Sequence, residues 1–217
     1  MALKLVIGNK NYSSWSLRPW IAMRHAGIAF EEEVVPLYEP GSRERILHYS
    51  QAGKVPVLRD GDLTIWDSLA ILEYLAENYP DAALWPKDAA VRAYGRAIAA
   101  EMHSGFMALR RHCPMNMRRK NRKLALTADV ENDVQRIAAI WREAQMRFGA
   151  SGPFLLGGFS IADAMYAPIV SRFFSYGIAP GAEAQKYMAT MMALPAWLEW
   201  QAASEAEPWV MPNNERD

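Results

Sequence analysis

The sequence predicts an α/β unit followed by an all-α helical unit. Three observations carry this. Two apolar runs near the start flank a stretch of helical period, the pattern of a strand–helix–strand unit. Asp60-Gly61 lies between two short apolar runs and signals a hairpin turn. Beyond a proline-containing stretch near residue 80, only helical periods remain.

In chain order, "LKLVIG" (3–8) reads as a buried strand. Leu17, Trp20, Ile21, Arg24 and Ile28 then recur at helical spacing, and Gly27 supplies the stop. "IAFEEEVVPL" (28–37) reads as the second strand. "PGSRERILHYSQAGK" reads as a loop holding one helical turn. "VPVLRDGDLTIW" (55–66) gives two short strands. "DSLAILEYLAENYP" gives a helix with Leu69, Leu72, Leu75 and Tyr79 on its apolar face, closed by Pro80. Residues 1–80 therefore form one unit, 81–87 a linker with Pro86, and 88–217 the helical unit.

In the helical unit, Val91, Tyr94, Ile98, Met102, Phe106 and Leu109 mark one long helix ended by Pro114. Val130, Val134, Ile137, Trp141, Ala144 and Phe148 mark a second. "SIADAMYAPIVSRFFSYG" is a third, with Pro168 as a kink. "PAWLEWQAASEAEP" is a fourth, opened by Pro195.

Composition excludes several classes. Lys plus Arg and Asp plus Glu each number 24, so net charge gives no case for nucleic acid or an anionic membrane. No apolar run approaches the ~18 residues of a membrane span, and no signal peptide is evident. The single Cys113 rules out an internal disulfide and reads as structural. Four histidines show no metal-ligand spacing, so no metal is expected. These features fit a cytoplasmic protein. The basic run "RRKNRK" (118–123) reads as a solvated loop.

Three local patterns suggest a site. "NYSSWSLRPW" (11–20) places Ser13, Ser14 and Ser16 where the first strand hands over to the first helix. Pro19 fits the first turn of a helix, which sets the N-cap near Ser16 and leaves Ser13 and Ser14 just ahead of it. Hydroxyls at a helix N-terminus either cap it or help hold an anion. In "GKVPVL" (53–58), Val55-Pro56 opens a strand and marks an edge, a strand start or a cis bond. In "WDSLAI" (66–71), Asp67 and Ser68 stand at a helix start, as a plain cap or as receivers of an ammonium and a carboxylate. Ser160 to Asp163 has the form of a capping box with a folding role, and Phe159 precedes it.

Taken together, these pieces resemble the cytosolic glutathione transferases, over nearly the whole chain. The resemblance implies a thioredoxin-like N-terminal domain, glutathione as co-substrate, a small apolar electrophile as second substrate, and a homodimer. "SSWSLRPWIA" is similar to the serine motif of the family's zeta class. By that match Ser13 contacts the glutathione sulfur, with Ser14 its competitor. Lys54 and the Val55 backbone then hold the cysteinyl and glycyl portions, and Asp67 and Ser68 the γ-glutamyl end. A cis bond is expected at Val55-Pro56. His103, Phe106 and Arg110, spaced to share a helix face, are candidates for the electrophile site. Trp15 stands where the zeta motif has cysteine, which argues against a zeta-like maleylacetoacetate isomerase. A non-catalytic glutathione-binding regulator is the reading from another class. The positions of a Cys-x-x-Cys redox motif read Ser13 and Ser16, so dithiol chemistry there is excluded.

Overall fold

The computed structural model describes residues 2–216. Its first part runs β1 (Leu3–Ile7), α1 (Ser14–His25), β2 (Phe30–Val34), α2 (Ser42–Tyr49), β3 (Val57–Asp60), β4 (Leu63–Ile65) and α3 (Ser68–Asn78). The four strands form one sheet in the order β2-β1-β3-β4. β1 and β2 are parallel, while β3 is antiparallel to both β1 and β4. This is the expected thioredoxin-like unit.

Strand alternation explains the layering. Successive residues point to opposite faces. Leu3, Leu5 and Ile7 join the large core with Trp20, Ile21 and Leu72. Val6, between them, joins Val35, Ile46 and Val57 on the other side. Ile46 explains why α2 has eight residues rather than the single turn expected. Its buried side chain covers the second sheet face, and Ser42 fixes the entry by accepting the Glu39 N–H at 3.0 Å.

From Ala89 onward the α-helices among the described residues are α4 (Ala89–Ser104), α5 (Met107–His112), α6 (Ala128–Phe148), α7 (Ile161–Ser175), α8 (Ala182–Met192) and α9 (Pro195–Ala206). Trp141 of α6, Tyr166 and Phe173 of α7 and Tyr187 of α8 pack edge to face or tilted at its centre. The side chain of α7 is buried at almost every position, and α7 packs on both α1 and α4. It packs across the two parts, as α9 also does on α1.

Three expectations need correction. The long helix from Val91 to Leu109 is two helices. Phe106 adopts a left-handed backbone at φ 61°, and the chain breaks there. Arg110 turns back over the break, donating to the carbonyls of Met102, His103 and Gly105 that α4 leaves unpaired. His103, Phe106 and Arg110 therefore do not share one face of a continuous helix. Second, α8 has no counterpart among the helices read from the sequence. Ala184, Tyr187, Met188 and Met191 form its buried stripe. Third, the basic run is only partly solvated. Arg118 donates to the carbonyls of Glu207 and Trp209, and the buried Arg119 lies 4.5 Å over the Tyr176 ring.

The Ser160–Asp163 capping box is present with both of its hydrogen bonds. Burial pushes the Asp163 carboxyl up from 3.8 to about 6. An acid with a raised folded pKa stabilises the fold most when protonated, below its unfolded value. That stabilisation is lost as pH rises through about 6. Going from about pH 4 to about pH 7, the chain should lose roughly 2–4 kcal/mol relative to Asp163→Asn, which cannot titrate there. Urea denaturation of both proteins at the two pH values measures this. A difference between them that does not change with pH would contradict it.

Candidate functional site

The first helix begins earlier than Pro19 suggested. Ser13 is the N-cap and α1 starts at Ser14, so Pro19 lies inside the helix. Proline there has no N–H for the Trp15 carbonyl, and tertiary packing outweighs that loss. Trp20 and Ile21, the residues after it, are fully buried. The Ser14 N–H donates to the Tyr12 carbonyl at 3.0 Å, and the Leu17 N–H to the Ser13 carbonyl at 3.2 Å. The Trp15 and Ser16 N–H groups remain at the positive end of the helix dipole.

The hydroxyls at this end are ordered. The Gly8 N–H donates to Ser16 Oγ at 3.1 Å, and Ser16 Oγ lies 2.7 Å from Ser13 Oγ. With one Ser16 lone pair taken by Gly8, the Ser16 O–H is able to donate to Ser13. The Ser13 O–H is then able to donate to an anion in front of it. The Ser14 hydroxyl has no hydrogen-bond partner among the described residues.

Both serines line a cavity of about 950 Å³. Lys54, Val55, Asp67 and Ser68 line the same cavity, so the structure brings these six sequence-selected residues together. The Val55–Pro56 peptide is cis, as expected, and so is Trp66–Asp67. Asp67 is the N-cap of α3, its Oδ1 accepting the Leu69 N–H at 3.1 Å and the Ala70 N–H at 3.4 Å. Ser68 is fully buried, while Lys54 is exposed at the rim. His103, Phe106 and Arg110 are absent from the lining. Phe106 is buried in the core, and Arg110 is committed to the carbonyls at the end of α4.

The comparisons decide the family. A sequence profile described as Glutathione S-transferase, N-terminal domain matches residues 12–78, and one described as Glutathione S-transferase, C-terminal domain matches residues 127–203. The chain belongs to the glutathione S-transferase family. A probable maleylacetoacetate isomerase of Vibrio cholerae is 28% identical over 209 residues, 90% of this chain and 94% of that one. A probable maleylacetoacetate isomerase of Caenorhabditis elegans is 37% identical over 97 residues, 45% of each chain. The chain spans about half the length of several of the curated relatives it matches. The crystal structure of a glutathione transferase homolog from Burkholderia GL BGR1 with bound glutathione superposes with a TM-score of 0.72 at 22% identity. That likeness covers 95% of this chain and 100% of the other, and it shows a shared fold.

Two features of this glutathione S-transferase site escaped the sequence. Arg18 is 1% exposed, and its Nη1 donates to Ser68 Oγ at 3.4 Å. Its guanidinium stacks 4.2 Å over the Trp15 ring, while its Nε has no partner. Burial, and then the neighbouring Arg110, lower its pKa well below the ordinary value. A buried cation short of partners therefore sits directly behind Ser68, where an anion would relieve it. The other feature is the stretch after α9. Glu207 accepts the Lys10 and Asn11 N–H groups at 2.6 and 3.0 Å, and Tyr12 Oη donates to Glu215 at 2.6 Å. These bonds lay Met211 and Asn214 along the cavity wall. Their sequence separation from Tyr12 left no local signal.

Proposed function

We propose that this chain is a glutathione transferase that ionises bound glutathione at Ser13 and delivers the thiolate to a small apolar electrophile. What carries the reading is one cavity holding the Ser13 hydroxyl at a helix N-terminus together with Lys54, Val55, Asp67 and Ser68. The γ-glutamyl carboxylate lies over Ser68, whose hydroxyl is backed by Arg18. The γ-glutamyl ammonium meets Asp67. Lys54 and the Val55 backbone hold the rest of the tripeptide. The sulfur then faces Ser13.

Magnitudes support this arrangement. Lowering a thiol pKa from ~8.5 by about two units needs ~2.7 kcal/mol. A helix N-terminus gives roughly 0.3–1 kcal/mol and a hydrogen bond to a charged group about 1.5–3. The thiolate attacks the electrophilic carbon, a sulfur–carbon bond forms, and the leaving group departs with the bonding pair. Trp15, Tyr12 and Met211 supply the apolar wall for that partner. We take the division at 80 and 88, a homodimer and a cytoplasmic setting as part of this reading.

The Vibrio cholerae relative favours a second reading, maleylacetoacetate isomerisation by reversible thiolate addition. Trp15 in place of the motif's cysteine weighs against it.

Asp67→Ala should weaken glutathione binding by about 1–2 kcal/mol, a charge-assisted contact discounted because the carboxylate is half exposed. Titration calorimetry giving unchanged affinity would sink the γ-glutamyl assignment. A transfer assay with a chloronitroarene, run beside a glutathione affinity column, tests turnover. Retention on the column without turnover across a broad electrophile panel would make the chain a binding module instead.

A further inference from the structure

His103 does not line the cavity, yet it is not idle. It lies at the end of α4, and its Nε2 is 3.0 Å from Asp67 Oδ2. The other oxygen, Oδ1, is already spent on capping α3. The two carboxylate oxygens thus have two separate anchors, one from the helix beneath and one from the helical unit opposite.

The histidine is itself held. Its ring meets Trp15 edge to face at 5.3 Å, and its backbone carbonyl accepts from Arg110 at 3.3 Å. Its Nδ1 is buried without a partner. A neutral imidazole has one donor nitrogen and one acceptor. A 3.0 Å contact with a carboxylate needs the hydrogen on Nε2, which leaves Nδ1 as the bare acceptor. In its neutral form with the hydrogen on Nε2, His103 presents an N–H to Asp67. Such a donor fixes the carboxylate's rotation and leaves its negative charge for a cation. It also uses only one lone pair of Oδ2, so that oxygen retains room for a second donor from the cavity side. A lysine in its place would cancel the charge that the site needs.

We propose that His103 is a positioning residue for the amino-acid end of glutathione: it orients the Asp67 carboxylate toward the γ-glutamyl ammonium. The helical unit thereby contributes to a ligand site built otherwise from the first eighty residues and the chain's last turn. This rests on the assignment of Asp67 given above. Without His103, the half-exposed carboxylate is anchored through Oδ1 alone and is free to swing out of register.

The test uses titration calorimetry with two ligands, glutathione and its analogue lacking the γ-glutamyl amino group. The unaltered protein should bind glutathione more tightly than the analogue. His103→Ala should weaken glutathione binding about 3–10-fold, the scale of one partly screened charge-assisted bond, and leave the analogue within about two-fold. His103→Gln, which keeps a neutral N–H donor, should restore most of the loss. An equal loss for both ligands, or none for either, would overturn the role of His103 while leaving Asp67 in place. Equal binding of the two ligands by the unaltered protein would remove the Asp67 assignment, and this one with it.

Discussion

Replacing Ser13 with alanine is expected to slow turnover about 10–100-fold at neutral pH and far less above about pH 9. The effect comes from the ionised fraction of the bound thiol. With the hydroxyl in place, the sulfur titrates near ~6.5; without it, near ~8.5. The thiolate fraction at neutral pH then falls from ~0.75 to ~0.03. Glutathione affinity should change little, because the hydroxyl acts on the reacting sulfur. Ser14→Ala should be milder. The Ser14 hydroxyl lacks the support that Ser16 and Gly8 give to Ser13. A pH–rate profile for both variants decides between them. A larger alkaline shift for Ser14→Ala would exchange the two roles. If neither profile shifts, the serines are not the activators, and the N–H groups of Trp15 and Ser16 become the next candidates.

The second large effect is on folding. Asp163→Ala should destabilise the chain by about 3–5 kcal/mol. Asp163 is fully buried and accepts from the Leu155 N–H at 3.1 Å, the Ser160 N–H at 2.9 Å, Ser160 Oγ at 2.9 Å and Tyr187 Oη at 3.1 Å. Alanine leaves these donors stranded in the interior. Each costs roughly 1–3 kcal/mol if nothing replaces the bond, and partial relaxation keeps the sum below the simple total. The loss should appear as a lower urea midpoint with an unchanged slope. A loss under about 1 kcal/mol would show that the α7 start is held by packing alone.

Much of the fold was legible because local and tertiary signals agree. The alternation in "LKLVIG" matches the two clusters that β1 feeds on its opposite faces. The Asp60-Gly61 turn sits where the sequence set it, with Gly61 at φ 57°. Ser160 and Asp163 are three residues apart and form their cap without distant help. Failures came where distant contacts override local rules. Pro19 reads as a helix start, but the packing of Trp20 and Ile21 holds the helix straight through it. Phe106 reads as one more apolar position in a long helix. Nothing local reveals that Arg110 will cap the carbonyls before it and so permit its left-handed turn. Arg118 reads as a solvated charge because its partners, the Glu207 and Trp209 carbonyls, lie about ninety positions later.

Ser13, Lys54, Val55, Asp67 and Ser68, selected from local motifs together with the family resemblance, line one cavity. His103, expected at the electrophile site, lies outside the cavity lining and beside Asp67, because the helical period says which residues share a face and not what that face meets. Arg18 was missed, since a basic residue in the second turn of a helix reads as surface until burial is known.

On the reading proposed above, the protein lowers the pKa of glutathione's thiol through Ser13. The most direct test is an ultraviolet difference titration of glutathione bound to the unaltered protein and to Ser13→Ala. Thiolate absorbance should rise with an apparent pKa near ~6.5 for the unaltered protein and near ~8.5 for the variant. Curves that coincide, or a thiol bound to the unaltered protein that titrates like the free one, would contradict it.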